Sequence, residues 1–292
     1  MTINFDFSGA EIFLSHLRGQ IAIEQVLEHP AYQTVARHAQ MFGNGICAQD
    51  VMNTLNGKSS PFYGLDGLSE NLTRILSLLE FLHQHATDWA TAIETELQGL
   101  LPNENLDITI YPIIGYDMGV GLNSAVCMNL NCAAYINEPL EFLFYSIHEC
   151  THVIYERHHS IPTLAEVNTP AEWRSYFNLW THNEGFAVYV ALHIREELGY
   201  LNERDYQVLF DAEKLKQHLQ AFLNALESLQ SETLLPRDEY LEICFGDMRL
   251  TYRLGCELLR RIARVHGQES IQQAFLLNSD RFMERYKYLL SH

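Results

Sequence analysis

The chain has 292 residues, of which 47% are hydrophobic and 19% are charged, and this composition predicts a globular protein with a sizeable core. Its 37 acidic residues outnumber 19 lysines and arginines, and the formal net charge of −18 argues against nucleic-acid or anionic-membrane partners. The longest strongly apolar run, residues 186–194, is too short to span a membrane, and residues 1–13 lack a secretory signal, so we expect a cytoplasmic protein.

The first hundred residues have a helical pattern. Apolar residues recur at intervals of three and four from Ser8 to about Leu101, most clearly in residues 69–101, which is typical of amphipathic helices. Glycine and proline interrupt the pattern at residues 57–67, where we expect a break between helices. We therefore predict a helical N-terminal part over residues 1–104.

The next segment has the pattern of β-structure. Residues 106–114 (LDITIYPII) alternate and are rich in β-branched side chains, and residues 124–131 (SAVCMNLN) form a second short strand-like run. Residues 115–123 (GYDMGVGLN), which lie between them, carry turn residues. We expect a small sheet immediately before the next helix.

From Pro139 onward the pattern is again helical, first in residues 141–159 and then in two long stretches, residues 173–198 and residues 239–265. The sequence therefore predicts a mainly α (α+β) fold, in which a small sheet separates helical N-terminal and C-terminal parts. The six cysteines show no CxxC spacing, and reduced thiols are the simplest interpretation.

The helix after the predicted sheet contains the pattern HExxH. His148 and His152 are four residues apart and lie one above the other on a helix, so both imidazoles can reach one tetrahedral metal ion. Glu149 follows the first histidine and is placed to hold a water molecule bound to that metal. Two ordinary histidines on a solvated helix are the alternative, but the apolar residues 141–147 predict burial, and buried polar groups need partners.

A zinc site of this kind needs a third protein ligand, and the sequence offers two candidates. Glu184 lies in an apolar helical run, where a buried carboxylate needs a counter-charge such as a divalent cation. His158 follows His152 by six residues, but this arrangement needs a sharp turn with a glycine at the position of Tyr155. We favour Glu184 and expect His158 to lie near the C-terminal end of the helix.

The motifs HECTH at 148–152 and EGFA at 184–187 resemble those of the gluzincin zinc metallopeptidases, including predicted bacterial zinc proteases of unknown substrate. The resemblance implies a gluzincin-like catalytic part over residues 105–292 that binds Zn²⁺ through His148, His152 and Glu184. It also implies that an edge strand aligns a peptide substrate, a role we assign to residues 124–131.

The same resemblance implies hydrolysis of peptide bonds by a metal-activated water, with Glu149 as general base. A tyrosine on a C-terminal helix commonly stabilises the oxyanion in such enzymes, and Tyr252, one turn before Gly255, is similar to that element. Tyr240 and the arginines beside Tyr252 are the next candidates for this donor. The implied partner is a peptide or protein substrate.

Two alternatives remain open. A carboxylate-bridged di-iron oxidoreductase would use the ExxH spacing of Glu149 with His152 and of Glu80 with His83, but it leaves His148 and the β segment without a role. A non-catalytic zinc-binding protein on a peptidase scaffold would carry the same motifs as an active enzyme.

Overall fold

The structure, a computed structural model, describes residues 1–291. These residues form fourteen α-helices and one four-stranded sheet, which confirms the predicted mainly α (α+β) class. They divide into two compact units, the first made of Met1–Leu97 and Asn103–Ile154 and the second of Gln98–Pro102 and the described residues from Tyr155 onward. The sequence predicted a boundary between two functional parts at residue 104. The division into compact units does not test that boundary, which stays a prediction. No helix of the described part combines the length and the apolar character that crossing a membrane would require.

The first unit contains the sheet. The strands are β1 (Thr2–Phe5), β2 (Asp107–Ile113), β3 (Gly119–Leu122) and β4 (Ala125–Asn129). They lie in the order β1-β2-β4-β3, with β1 and β4 parallel to β2, and with β3 antiparallel to β4.

Seven helices begin in the first unit. The long helix in residues 69–101 and the break before it are confirmed, because one helix ends at Leu55 and the next begins at Leu68. The helices are α1 (Ser8–Leu17), α2 (Ile23–Leu27), α3 (Pro30–Met41), α4 (Ala48–Leu55), α5 (Leu68–Leu100), α6 (Ala133–Asn137) and α7 (Leu140–His158).

The sheet has helices on both faces. Cys127 of β4 donates its thiol hydrogen to the carbonyl of Ala31 on α3 (3.3 Å), so this side chain points toward α3. Neighbouring residues of a strand point to opposite faces, which directs Val126 and Met128 to the other side. Gly119 and Gly121 of β3 pair with Met128 and Val126, respectively, so they face the same side of the sheet as these two residues. On that side they lie against α7.

The sequence predicted β2 and β4 but not the other two strands. β1 was not expected because residues 2–5 are too few for a convincing alternating pattern. β3 lies within residues 115–123, which we interpreted as turn residues because of their glycines. That interpretation was wrong for Gly119–Leu122.

The second unit is helical. Residues 173–198 fall within one helix as predicted, whereas residues 239–265 do not form a continuous one. The break lies after Phe245, where Gly246 is extended and Arg249 has a positive φ of 45°. The helices are α8 (Pro170–Leu198), α9 (Arg204–Leu209), α10 (Ala212–Ser228), α11 (Arg237–Phe245), α12 (Leu250–His266), α13 (Ser270–Leu276) and α14 (Ser279–Tyr286).

Candidate metal centre

The two histidines of HExxH face each other on α7. Their Nε2 atoms are 3.1 Å apart, and their rings are nearly perpendicular. His148 is buried and His152 is half-buried. Two nitrogens bound at about 2.0–2.1 Å to one tetrahedral zinc ion lie roughly 3.3 Å apart, so the observed spacing fits two ligands of a single ion.

Glu149 completes the group in the first unit. It is buried, and one ligand atom from each of His148, Glu149 and His152 lies within 4.8 Å of the others. The motif also contains Cys150, but burial and the neighbouring Glu149 raise the pKa of its thiol. Residues two positions apart on a helix do not face each other, so Cys150 does not share the face of α7 that carries His148 and His152.

β3 lies directly against Glu149. A methyl group added at Gly119 would be 2.8 Å from Oε1 of Glu149, and one added at Gly121 would be 2.1 Å from its carbonyl oxygen. Real side chains do not approach so closely, so only glycine at these two positions lets the strand pack this tightly on α7. The alternation of glycines in residues 119–122 was the sequence signal that we missed.

β3, and not β4, is the edge strand on this side of the sheet. The predicted aligning strand, residues 124–131, contains β4, which lies between β2 and β3. The assignment of residues 124–131 as the edge strand was therefore wrong, because β4 pairs with a neighbouring strand on each side and has no open backbone groups.

The hydrogen-bond pattern shows which groups of β3 are open. Asn129 donates its amide hydrogen to the carbonyl of Met118 (3.0 Å), which makes these two a hydrogen-bonded pair. Bonded and non-bonded pairs alternate in an antiparallel ladder, so Gly119 and Gly121 belong to non-bonded pairs. Their N–H and C=O groups point away from β4, toward the open edge beside Glu149.

Replacing Gly121 by alanine should destabilise the protein by about 1–3 kcal/mol, because the added methyl group collides with the backbone of α7 at Glu149. Urea unfolding followed by circular dichroism measures the change. Gly45→Ala is the matched control, since a methyl group at that glycine meets nothing within 4 Å. An equally stable Gly121→Ala variant would contradict the close approach of β3 to α7.

In the second unit, Glu184 lies at the crossing of two helices. Gly185 of α8 and Gly255 of α12 are in backbone contact, since a methyl group on Gly185 would be 2.6 Å from the Cα of Gly255. The crossing brings Glu184 next to Tyr252, one turn before Gly255, and the phenol and carboxylate form a hydrogen bond. Glu184 is buried, as the sequence predicted.

The environment of Tyr252 keeps its phenol protonated. Burial, reinforced by the charge of Glu184, raises the pKa of Tyr252 well above its ordinary value. The guanidinium of Arg249 stacks on the ring, 3.5 Å from its centre. Tyr252 is therefore a rigidly held hydrogen-bond donor. Tyr240, the next candidate, is stacked on Trp173 at 4.5 Å and its hydroxyl accepts a hydrogen bond from a backbone amide.

Asp205 is a site residue that the sequence did not reveal. Both its oxygens accept hydrogen bonds from Arg249 at 2.8–2.9 Å, and Arg253 donates to one of them at 2.9 Å. Asp205 is buried, so these pairs compensate its charge and fix the guanidinium that supports Tyr252. Two arginines four residues apart, Arg249 just before α12 and Arg253 within it, were the only available signal.

No family model, curated protein or solved structure matches the chain. The chemistry of the candidate centre therefore rests on its own residues. The structure brings together His148, Glu149 and His152 in the first unit, and Glu184 and Tyr252 in the second.

His158 does not occupy the position that a third histidine ligand would need. Helix α7 continues through Tyr155 without a turn and ends at His158, so the position where a glycine turn was required is helical. Six residues along a helix correspond to about 240° of rotation, which directs His158 and His152 to different faces. Tyr155 instead bonds to Nδ1 of the buried His182 at 2.8 Å.

Proposed function

We propose that this chain is a cytoplasmic zinc metallopeptidase of the gluzincin type, acting on peptide or protein substrates. The observation that carries the proposal is the pair of Nε2 atoms of His148 and His152, 3.1 Å apart, with Glu149 beside them on a buried helix. The six free thiols agree with a reducing compartment.

The proposed ligands of Zn²⁺ are His148, His152 and Glu184. When bound in such a site, zinc supplies a Lewis acid and acidifies a water molecule. Glu149 then accepts the proton of the water and passes it to the leaving amine, which needs a carboxylate within hydrogen-bond reach of both. Its position against Gly119 supports this role, because a peptide running along β3 would pass beside it.

The open edge of β3 is the proposed binding surface for the substrate backbone. An extended peptide can add to the sheet through the N–H and C=O groups of Gly119 and Gly121, as in other strand-addition complexes. The absence of side chains at both positions lets β3 lie close to Glu149, so a peptide added to this edge would pass near the carboxylate.

Replacing Tyr252 by phenylalanine should lower kcat by about 10- to 10³-fold, the range expected for loss of an oxyanion donor. Zinc content at saturating zinc should stay near the wild-type value, whereas loss of the hydrogen bond to the buried Glu184 should lower stability by about 1–3 kcal/mol. Steady-state kinetics on a cleaved peptide, with metal analysis and thermal unfolding, measure these effects. Tyr240→Phe is the control and should retain kcat. A Tyr252→Phe variant with reduced stability and unchanged kcat would make Tyr252 a structural residue.

The location of the second ExxH motif, formed by Glu80 and His83, argues against the di-iron alternative. Glu80 and His83 are both exposed on α5, and His83 packs on the ring of Phe7 at 3.6 Å. Carboxylate-bridged iron sites are built from side chains that project into a helical bundle. The surface position of this pair fits an ordinary polar pair on an amphipathic helix.

Metal analysis of protein purified without added metal, followed by digestion of a mixed peptide library, tests the proposal. We expect one equivalent of zinc, cleavage of peptides, and loss of cleavage when a chelator removes the metal. Two equivalents of iron would favour the oxidoreductase. Zinc with no cleavage of any peptide would favour a non-catalytic zinc protein.

A further inference from the structure

An exposed carboxylate lies at the beginning of the open edge strand. Asp117 precedes Gly119 by two residues, which corresponds to about 7 Å along an extended chain. Its Oδ2 accepts a hydrogen bond from the hydroxyl of Tyr63 (3.0 Å), and its Oδ1 accepts one from the amide of Met118 (2.8 Å). Within the described residues, no lysine or arginine forms an ion pair with Asp117.

Two tyrosines, Tyr63 and Tyr116, lie next to this carboxylate. Tyr63 is 45% exposed, and its ring lies 5.0 Å from that of Tyr116. Tyr116 is buried, and its hydroxyl bonds to Nδ1 of the half-buried His38 at 3.1 Å. The exposed ring beside Asp117 offers a π-face to a cation, and the carboxylate offers it a counter-charge.

The backbone before Asp117 is held in an unfavourable conformation. Tyr116 has a φ of 72°, which is rare for a bulky side chain. The side-chain amide of Asn129 donates to the carbonyl of Tyr116 at 3.2 Å, and the amide of Tyr116 donates to the carbonyl of Tyr63. Gly64 passes so close to Tyr116 that a methyl group on it would clash. These contacts hold Asp117 and Tyr63 in a fixed position relative to each other, as is common in ligand-binding loops with a strained backbone.

We infer that Asp117 and the exposed ring of Tyr63 form a subsite for a basic side chain, lysine or arginine, of the peptide bound along β3. The inference rests on the proposed function for the position of the peptide. A peptide residue near Asp117 is one or two positions from Gly119, where Glu149 lies, so the basic residue is close to the bond that is cleaved. The net charge of −18 also attracts cationic peptides over longer distances.

The test compares the binding of two fluorescently labelled peptides that differ only in one residue, arginine or glutamine, to the full chain stripped of metal. We expect the arginine peptide to bind about tenfold more tightly at low salt, a preference that weakens at 0.5 M salt. Asp117→Asn should bind the two peptides alike, and Tyr63→Leu should retain only a small preference. Asp107→Asn, an exposed aspartate on β2, is the control and should keep the full preference.

Three results would overturn the inference: equal binding of both peptides by the wild type, binding of neither, or a preference that persists in Asp117→Asn. The same peptides are then incubated with the zinc-loaded wild type. An arginine preference that depends on Asp117, without cleavage of either peptide or of any member of the mixed peptide library, would refute the peptidase proposal and leave the basic subsite standing.

Discussion

Replacing Glu149 by glutamine should reduce kcat by about 10² to 10⁴-fold, the usual contribution of a general base, while zinc content and thermal unfolding remain at wild-type values. Glutamine has nearly the same shape as glutamate, so it fits the narrow space against Gly119. It cannot accept the proton of the attacking water. The change therefore removes the proposed chemistry and leaves the packing of α7 intact.

Steady-state kinetics on any peptide cleaved by the wild type measure this loss, with metal analysis and thermal unfolding on the same preparation. Glu141→Gln, in the first turn of the same helix, is the matched control and should keep full activity. Near wild-type turnover of the Glu149→Gln variant would refute the assignment of Glu149 as the base.

Removing Glu184 should lower the affinity for zinc more than about 100-fold. Changes to residues that only orient a metal ligand typically cost 10–100-fold, and loss of the ligand itself should cost more. Glu184→Gln keeps the shape of the side chain and a hydrogen bond with Tyr252, so it separates loss of the ligand from loss of packing. Glu184→Ala should show the same loss of zinc together with a loss of stability.

Competition with a chromogenic zinc chelator gives these affinities, and the zinc-dependent rise in melting temperature provides a second measure, because a ligand stabilises the state that binds it. His158→Ala is the control and should bind zinc as the wild type does. Full zinc affinity in both Glu184 variants and its loss in His158→Ala would reverse the assignment.

The sequence predicted well those features that depend on local spacing. HExxH places two side chains on one face of a helix whatever the rest of the fold does, and the apolar residues before it indicated that the helix is buried. The burial of Glu184 followed in the same way from its apolar neighbours. The strand β2 was visible because its β-branched residues alternate, and β4 was visible as a short strand-like run.

Features that depend on distant partners were not predictable. Gly119 and Gly121 are required by the close approach of Glu149, and their alternation in the sequence does not by itself identify the partner that requires them. Asp205 is recognised only through the two arginines it binds, Arg249 just before α12 and Arg253 within it. An aspartate in the first turn of a short helix has the same appearance in the sequence whether or not it is buried.

The position of β1 in the sheet has a consequence for how the chain folds. Thr2 pairs with Asp107, so the first strand cannot find its partner until more than one hundred further residues are available. Closing so long a loop costs conformational entropy before any stabilising contact forms, and this cost slows folding. During synthesis at about 5–20 residues per second, residues 2–5 remain an unpaired strand for several seconds. In that interval their backbone groups are open to other extended chains, so a chaperone that covers them during synthesis should raise the yield of folded protein.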